Sequence, residues 1–86
     1  MGEQLVGTVK HYFGEPHVAV VEIIAGELHV GDTIRVAALH CDFVQQVQSI
    51  DLEHTSVDSA KVGDNVRLRV SEPVREYDRV YRETRE

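Results

Sequence analysis

Two seven-residue segments of the chain repeat each other and decide its fold: Val30-Gly31-Asp32-Thr33-Ile34-Arg35-Val36 and Val62-Gly63-Asp64-Asn65-Val66-Arg67-Leu68. In each segment the glycine supplies the backbone freedom of a tight turn, and the aspartate can accept hydrogen bonds from backbone N–H groups of that turn. An alternating apolar and polar pattern then indicates a strand. Because the turns account for both aspartates, we interpret them as structural residues and not as a catalytic carboxylate pair.

The composition is that of a small protein with an aliphatic, β-rich core. The chain has 86 residues, of which 42% are hydrophobic, and it contains no Trp. Its many β-branched Val and Ile residues favour strands. We therefore expect one domain over residues 1–86, with an ordered core at 5–82 and flexible residues at 1–4 and 83–86.

Short β patterns separated by turn residues occupy most of the chain. They predict six or seven strands and no amphipathic helix of about 12 residues or more. Gly7 lies inside the first of these strands, where it indicates a bend or a close approach of two backbones. Ser56-Val57-Asp58-Ser59-Ala60 is predicted to form one helical turn capped by Ser56. The expected fold is all-β, a small antiparallel β-barrel of Greek-key type, because barrel closure removes exposed strand edges.

Charge is unevenly distributed along the chain. The formal net charge of −6 argues against nucleic-acid binding through bulk electrostatics. Residues 1–64 contain three basic and ten acidic side chains, whereas residues 65–86 contain six Arg and five acidic side chains. Four arginines of this second part are candidates for binding phosphate groups: Arg67, Arg69, Arg75 and Arg79. The alternative is a solvated surface on which these arginines pair with glutamates, namely Glu22, Glu72 or Glu76.

The sequence contains no recognisable catalytic or metal-binding pattern. None of the five histidines lies three or four residues from another. His40-Cys41-Asp42 is the one cluster with ligand-type atoms, but adjacent residues of a strand point to opposite faces. Nothing near Cys41 in sequence would stabilise a thiolate. We therefore predict no enzyme activity, no metal and no cofactor.

Targeting signals are also missing from the sequence. Residues 1–20 lack the basic and apolar regions of a signal peptide, and no apolar run approaches the roughly 18 residues of a membrane span. A single Cys suits a reducing compartment. These observations predict a soluble cytoplasmic protein without a membrane partner.

Five short motifs occur in the order found in a known β-barrel. They are Gly7-Thr8-Val9, Ala19-Val20-Val21-Glu22, Leu28-His29-Val30-Gly31-Asp32-Thr33-Ile34, Val47-Gln48-Ser49-Ile50 and Ala60-Lys61-Val62-Gly63-Asp64-Asn65-Val66. Together they resemble domain 2 of translational GTPases such as elongation factor Tu, over roughly residues 5–82. The chain has no phosphate-binding G-x-x-x-x-G-K-[ST] loop, so the resemblance does not imply GTP binding.

The second half of the chain is similar to two further groups of proteins. A resemblance to stand-alone translation elongation factor-like small proteins rests on residues 42–43, 47–54 and 75–81 and on Val57 with Ala60. Asp42-Phe43 and Pro73-Val74 with Asp78 are also similar to the C-terminal accessory barrel of collagenase-like peptidases. Tyr77 departs from this pattern, because a Gly usually precedes the Asp at the last turn of the chain. The departure concerns the geometry of that turn and not the fold.

The resemblance implies a non-catalytic interaction module. Its expected partner is a larger protein or ribonucleoprotein, either in a translation- or RNA-associated assembly or as a collagenase-like peptidase. The contacts would be made by loops 40–43 and 53–56 and by the strand face that carries Arg67 and Arg69, here called the arginine face. The candidate residues are therefore Arg67, Arg69, Arg75, Arg79, His40, Asp42, Phe43 and His54. The alternative hypothesis is a structural barrel that associates with itself as a homodimer and has no nucleic-acid role.

Overall fold

The computed structural model describes residues 2–14, 17–37 and 42–84. In this part of the chain all regular structure is β, which confirms the predicted class. The strands are β1 (Gly2–Phe13), β2 (Val18–Ile23), β3 (Glu27–His29), β4 (Thr33–Ala37), β5 (Asp42–Gln46), β6 (Ile50–Leu52), β7 (Thr55–Val57), β8 (Ser59–Lys61), β9 (Asn65–Arg69) and β10 (Arg79–Thr84).

One antiparallel sheet forms most of the molecule. Its strand order is β5-β4-β10-β1-β2-β9-β6-β7, and β3 pairs with β8 in a separate two-stranded ribbon. The closing strand β10 lies between β1 and β4, so the two ends of the chain are joined within the sheet. On the edge strand β5, Gln45 Nε2 donates to the carbonyl of Arg69, and the N–H of Ser71 donates to Gln45 Oε1. These bonds tie β5 to the end of β9, and the sheet therefore curves into a barrel-like wall.

Two local predictions differ from the observed strands. The sequence pattern over residues 43–52 predicts one strand, but the observed strand ends at Gln46, because Val47 turns aside and exchanges two backbone hydrogen bonds of 2.8 Å with Gly31 and Asp32. The predicted helical turn at 56–60 is wrong, because this segment contains the strands β7 and β8. Pairing with β3 places Ala60 opposite Leu28, which buries both side chains. These breaks explain why the described part of the chain contains ten short strands where the sequence indicated six or seven.

The core is almost entirely aliphatic. Alternate residues of β2, β4 and β9 are buried, as the period-2 pattern of the sequence requires. The largest fully buried side chains are Ile23, Leu28, Ile34, Ile50 and Leu68. Tyr12 and Phe43 are partly buried and pack against this cluster. The polar residues that alternate with the core face outward, and the sheet thereby positions them for contact with other molecules.

Gly7 marks a close approach of two strands, as the sequence predicted. The pairing of β1 with β10 shifts register between Leu5 and Gly7, which is the mark of a β-bulge. A Cβ atom on Gly7 would lie 2.6 Å from the carbonyl oxygen of Glu22 and 2.7 Å from Cγ1 of Val21. Only glycine fits between β1 and β2 at this position.

Candidate interaction surface

The structure contains a third copy of the turn that opened the sequence. In each copy a carboxylate oxygen accepts a hydrogen bond from the backbone N–H three residues earlier. The three bonds run from His29 to Asp32 at 2.8 Å, from Lys61 to Asp64 at 3.1 Å and from Arg75 to Asp78 at 2.8 Å. The structural interpretation of Asp32 and Asp64 agrees with these bonds. The third copy keeps the same bond although its sequence, Glu76-Tyr77-Asp78, lacks the glycine.

Tyr77 occupies the glycine position of the third turn with a backbone that suits glycine. Its φ is 74°, compared with 97° for Gly31 and 96° for Gly63. A side chain in this left-handed region costs about 1–2 kcal/mol. The Tyr77 side chain is 77% exposed, so packing within the described chain does little to offset that cost. An exposed, strained aromatic residue indicates a role outside the chain itself.

We expect Tyr77→Gly to stabilise the isolated protein. Removing the left-handed side chain should raise the free energy of unfolding by about 1 kcal/mol, since glycine adopts positive φ without steric cost. Thermal unfolding should show this as a rise in Tm of about 4–8 °C. Tyr77→Ala is the control, because alanine keeps the Cβ atom and should gain little. Equal or lower stability of the glycine variant would show that the tyrosine packs favourably where it stands.

Tyr77 forms one wall of an open groove on the barrel surface. The groove has a volume of about 540 Å³ and is lined by His11, Tyr12, Val74, Arg75, Glu76 and Tyr77. It lies where the end of β1 meets the third turn, because the N–H of Tyr77 donates to the carbonyl of Val9 at 2.8 Å. Residues from the end of β1 and from the third turn therefore line one groove, and they include Tyr12, Tyr77 and Arg75.

Aromatic contacts extend this surface beyond the groove. The rings of His11 and Phe13 meet edge to face with their centroids 4.5 Å apart. The hydroxyl of Tyr12 is hydrogen-bonded to Nδ1 of His17 at 2.9 Å. We refer to the rings of His11, Tyr12, Phe13, His17 and Tyr77 as the aromatic end of the barrel.

The four candidate arginines lack carboxylate partners in the part of the chain that the structure describes. Lys10, Arg35 and Arg82 each approach a carboxylate there, but none of the four does so. Glu22, which the sequence offered as a partner, is bound to Lys10 at 3.0 Å. The guanidinium group of Arg67 lies over the ring of Phe13 at 5.7 Å, and Arg75 lines the groove. Cationic groups are therefore available beside the aromatic end.

The other candidate residues lie in different environments. Asp42 is bound to Arg35 at 2.8 Å, and Phe43 packs against the core, so both side chains serve the barrel wall. His40, with its neighbour Cys41, lies outside the described residues. Arg69 shares the outer face of β9 with Arg67, and Arg79 is exposed at the first residue of β10.

His54 belongs to a tight turn away from the aromatic end. Together with Glu53 it connects β6 to β7, and both residues have positive φ, at 51° and 66°. This two-residue turn replaces most of the loop expected at 53–56. Its residues line a smaller cavity of about 250 Å³ together with Val20, Asp51, Asn65 and Arg67. Arg67 therefore lies between the aromatic end and this cavity.

An ion cluster of Glu3, Arg35 and Asp42 lowers the pKa of Glu3. Arg35 donates from Nε and Nη2 to both carboxylate oxygens of Glu3, at 2.7 and 3.0 Å, and it lies over the Tyr81 ring at 4.8 Å. The hydrogen bonds from Arg35 lower the pKa of Glu3 below its usual value of 4.5. Because the folded pKa is lowered, the contribution of this pair to stability is present above the unfolded pKa and is lost as pH falls through the folded pKa.

We expect Arg35→Gln to raise the pKa of Glu3 towards 4.5, because the variant removes the charged hydrogen-bond donors. Carboxyl carbon chemical shifts measured across an acid titration would report this change directly. Arg75→Gln is a matched control that should leave the Glu3 titration unaltered. An unchanged Glu3 pKa in Arg35→Gln would contradict the assigned cause.

Residues 2–14, 17–37 and 42–84 contain neither a metal-binding cluster nor a membrane-spanning helix. No group of three or more His, Cys, Asp or Glu residues there could hold a metal ion. Over the same residues no helix has the length and apolarity needed to cross a membrane.

Comparison with known proteins connects the chain to peptidases. It is 37% identical over 78 residues to a collagenase of Porphyromonas gingivalis, an alignment that covers 90% of this chain and 22% of that protein. It is 34% identical over 77 residues to an uncharacterized protease of Methanocaldococcus jannaschii, covering 88% and 19% respectively. No family model matches the chain.

The fold is also that of a solved C-terminal domain. The C-terminal domain of a Geobacillus thermoleovorans protein assigned to the U32 peptidases superimposes with a TM-score of 0.86, covering 94% of this chain and 93% of that one. At 23% identity this likeness shows the fold. The chain spans about a fifth of the length of the curated relatives it matches. The resemblance to the accessory barrel of collagenase-like peptidases is therefore confirmed as a similarity of sequence and fold.

Proposed function

We propose that this chain is a non-catalytic interaction module that holds a polypeptide for a collagenase-like peptidase. The observation that carries the proposal is the aromatic end, where exposed Tyr77 is held at a strained turn beside arginines without carboxylate partners among the described residues. The sequence similarity to a collagenase and to a protease supports the choice of a peptidase as the protein for which the module acts.

The lining of the groove supports binding in preference to catalysis. Hydrolysis of a peptide bond requires a nucleophile or an activated water, together with a group that stabilises the oxyanion. Among the described residues, the six that line the groove include no Ser, Thr or Cys, and Glu76 is their one carboxylate. Apolar and aromatic walls with a few polar groups are typical of a site that binds and orients.

A chimeric enzyme would test this proposal. In the Porphyromonas gingivalis collagenase, the matched 78 residues would be replaced by this chain, and gelatin cleavage would be compared with that of the parent and of a deletion variant. We expect the chimera to cleave at least about tenfold faster than the deletion variant, since binding energy from remote contacts positions the substrate. The isolated chain should release no peptides from gelatin.

Two results would contradict the proposed function. Gelatin cleavage by the isolated chain would show that it is itself an enzyme. A folded chimera that is no faster than the deletion variant would show that the chain does not act for this peptidase. A chimera carrying Tyr77→Gly serves as the matched variant, because that change leaves the fold intact while it removes the exposed ring.

RNA binding in a translation-associated assembly is the second candidate function. The observation that favours it is the stacking of Arg67 on Phe13, since arginine and aromatic faces also bind the bases and phosphates of single strands. The net charge of −6 opposes it. A gel shift with single-stranded RNA that is sensitive to salt and is lost on Arg67→Glu with Arg69→Glu would support this candidate. If the double variant bound RNA as tightly as the parent protein, the face that carries Arg67 and Arg69 would be excluded as the RNA-binding surface.

A further inference from the structure

We infer, on the basis of the proposed function, that the groove at the aromatic end binds an extended, proline-rich polypeptide segment that carries acidic residues. The occupant is thus defined by its backbone shape, its apolar rings and its charge. Each of these three properties corresponds to a feature of the groove and its surroundings.

The aromatic residues in the lining of the groove suit a polyproline II segment. Such segments expose proline rings along a stiff, fully solvated backbone, and proteins recognise them with grooves lined by aromatic residues. Tyr12 and Tyr77 are among its lining residues, and its volume of about 540 Å³ is open to solvent. Because the ligand is extended before it binds, little conformational entropy is lost on association.

The charge beside the groove favours acidic residues in the segment. Arg75 lines the groove together with one carboxylate, Glu76. Two further arginines outnumber that carboxylate, because Arg79 follows the third turn and Arg67 lies over Phe13 of the aromatic end. None of these three arginines pairs with a carboxylate among the described residues, so each is available to a carboxylate of a partner. Arginine binds carboxylates with two parallel hydrogen bonds, which fix orientation as well as adding affinity.

The third turn holds Tyr77 rigidly in place. Its N–H donates to the carbonyl of Val9, and the N–H of Val9 donates in turn to the carbonyl of Asp78, both at 2.8 Å. The carboxylate of Asp78 also accepts the N–H of Arg75. The backbone that carries the exposed ring is therefore fixed before a ligand arrives, which limits where an aromatic anchor at this position can lie.

Fluorescence anisotropy with labelled synthetic peptides would test the inference. The probe is a peptide of Pro-Pro-Glu repeats, and equally long peptides of Pro-Pro-Lys and Gly-Gly-Glu repeats separate the effects of charge and backbone shape. We expect the intact chain to bind the Pro-Pro-Glu peptide at least about tenfold more tightly than either control peptide. Added salt should weaken this binding.

Point variants would locate the binding site. Tyr77→Gly and Arg75→Gln should each weaken binding of the Pro-Pro-Glu peptide about tenfold, as expected for central contacts of an interface. Lys61→Gln is the matched control, because Lys61 occupies in the second turn the position of Arg75 in the third, and it should leave binding unchanged. Since Tyr77→Gly is expected to stabilise the fold, its loss of binding cannot be attributed to unfolding.

Three results would overturn the inference: equal binding of all three peptides, unchanged binding by Tyr77→Gly, or tighter binding of single-stranded RNA than of the Pro-Pro-Glu peptide. A functional chimera combined with no peptide binding would refute the inference but leave the proposed function standing. Selective peptide binding by the chain combined with an inactive chimera would support the inference and refute the role with the peptidase.

Discussion

Gly7→Ala is expected to lower the free energy of unfolding by about 3 kcal/mol, at the upper end of the cost of overpacking a core. The added methyl group would lie 2.6 Å from the carbonyl oxygen of Glu22, which belongs to the backbone of β2 and has little room to move. Relief would require β1 and β2 to separate at the bulge. Urea unfolding followed by circular dichroism would measure the change.

Gly14→Ala is the matched control for this prediction. A Cβ atom on Gly14 would meet only the far end of the Tyr12 ring, at 4.0 Å. We expect that variant to stay within about 0.5 kcal/mol of the parent, as surface substitutions usually do. A Gly7→Ala protein as stable as Gly14→Ala would contradict the close approach of β1 and β2.

Asp78→Ala should have the second largest effect, a loss of about 2 kcal/mol, because it leaves a partly buried N–H without its acceptor. The Asp78 side chain is only 8% exposed, and it accepts the N–H of Arg75 at 2.8 Å. The backbone of the same turn is bonded to Val9 of β1. The variant should therefore loosen both the turn and the placement of Tyr77, and it should weaken peptide binding as well as stability.

Asp64→Ala provides the comparison for Asp78→Ala. Asp64 makes the equivalent bond in the second turn, to the N–H of Lys61 at 3.1 Å, but at a solvent-exposed site. Its removal should cost about 1 kcal/mol or less, since water can replace the lost acceptor. Equal unfolding free energies for the two variants would show that burial does not increase the contribution of the Asp78 hydrogen bond to stability.

The sequence was most informative where one local interaction determines the structure. Glycine before aspartate predicted the first two turns, and Gly7 within a valine-rich strand predicted the close approach. These features depend on neighbouring residues alone. Together with the alternating strand patterns, they allowed the all-β fold to be predicted from the chain itself.

The third turn was harder to predict because Tyr77 conceals the repeat. A tyrosine rarely adopts positive φ, so the pattern indicated uncertain geometry there and not a turn equivalent to the other two. The hydrogen bonds of Asp78 and Val9 determine the conformation, and they depend on the pairing of β10 with β1. Tertiary structure thus overrides the local preference of Tyr77.

The candidate surface could be predicted only in part. The four arginines were identified from charge distribution, whereas the aromatic end brings together residues near positions 11–17 and 74–77 that are far apart in sequence. The partner of Asp42 was also missed, because Arg35 reaches it across the pairing of β4 with β5. Contacts between strands of this kind require the register of the sheet.

The central claim is that the aromatic end of the barrel is a docking site for a polypeptide. The most direct test is a nuclear magnetic resonance titration of the isotope-labelled chain with the Pro-Pro-Glu peptide, monitored through backbone amide shifts. We predict shift changes at His11, Tyr12, Phe13, Arg75 and Tyr77, with the second turn at 60–66 unaffected. Changes concentrated at the second turn or at the Glu53–His54 turn, with none at Tyr77, would contradict the account.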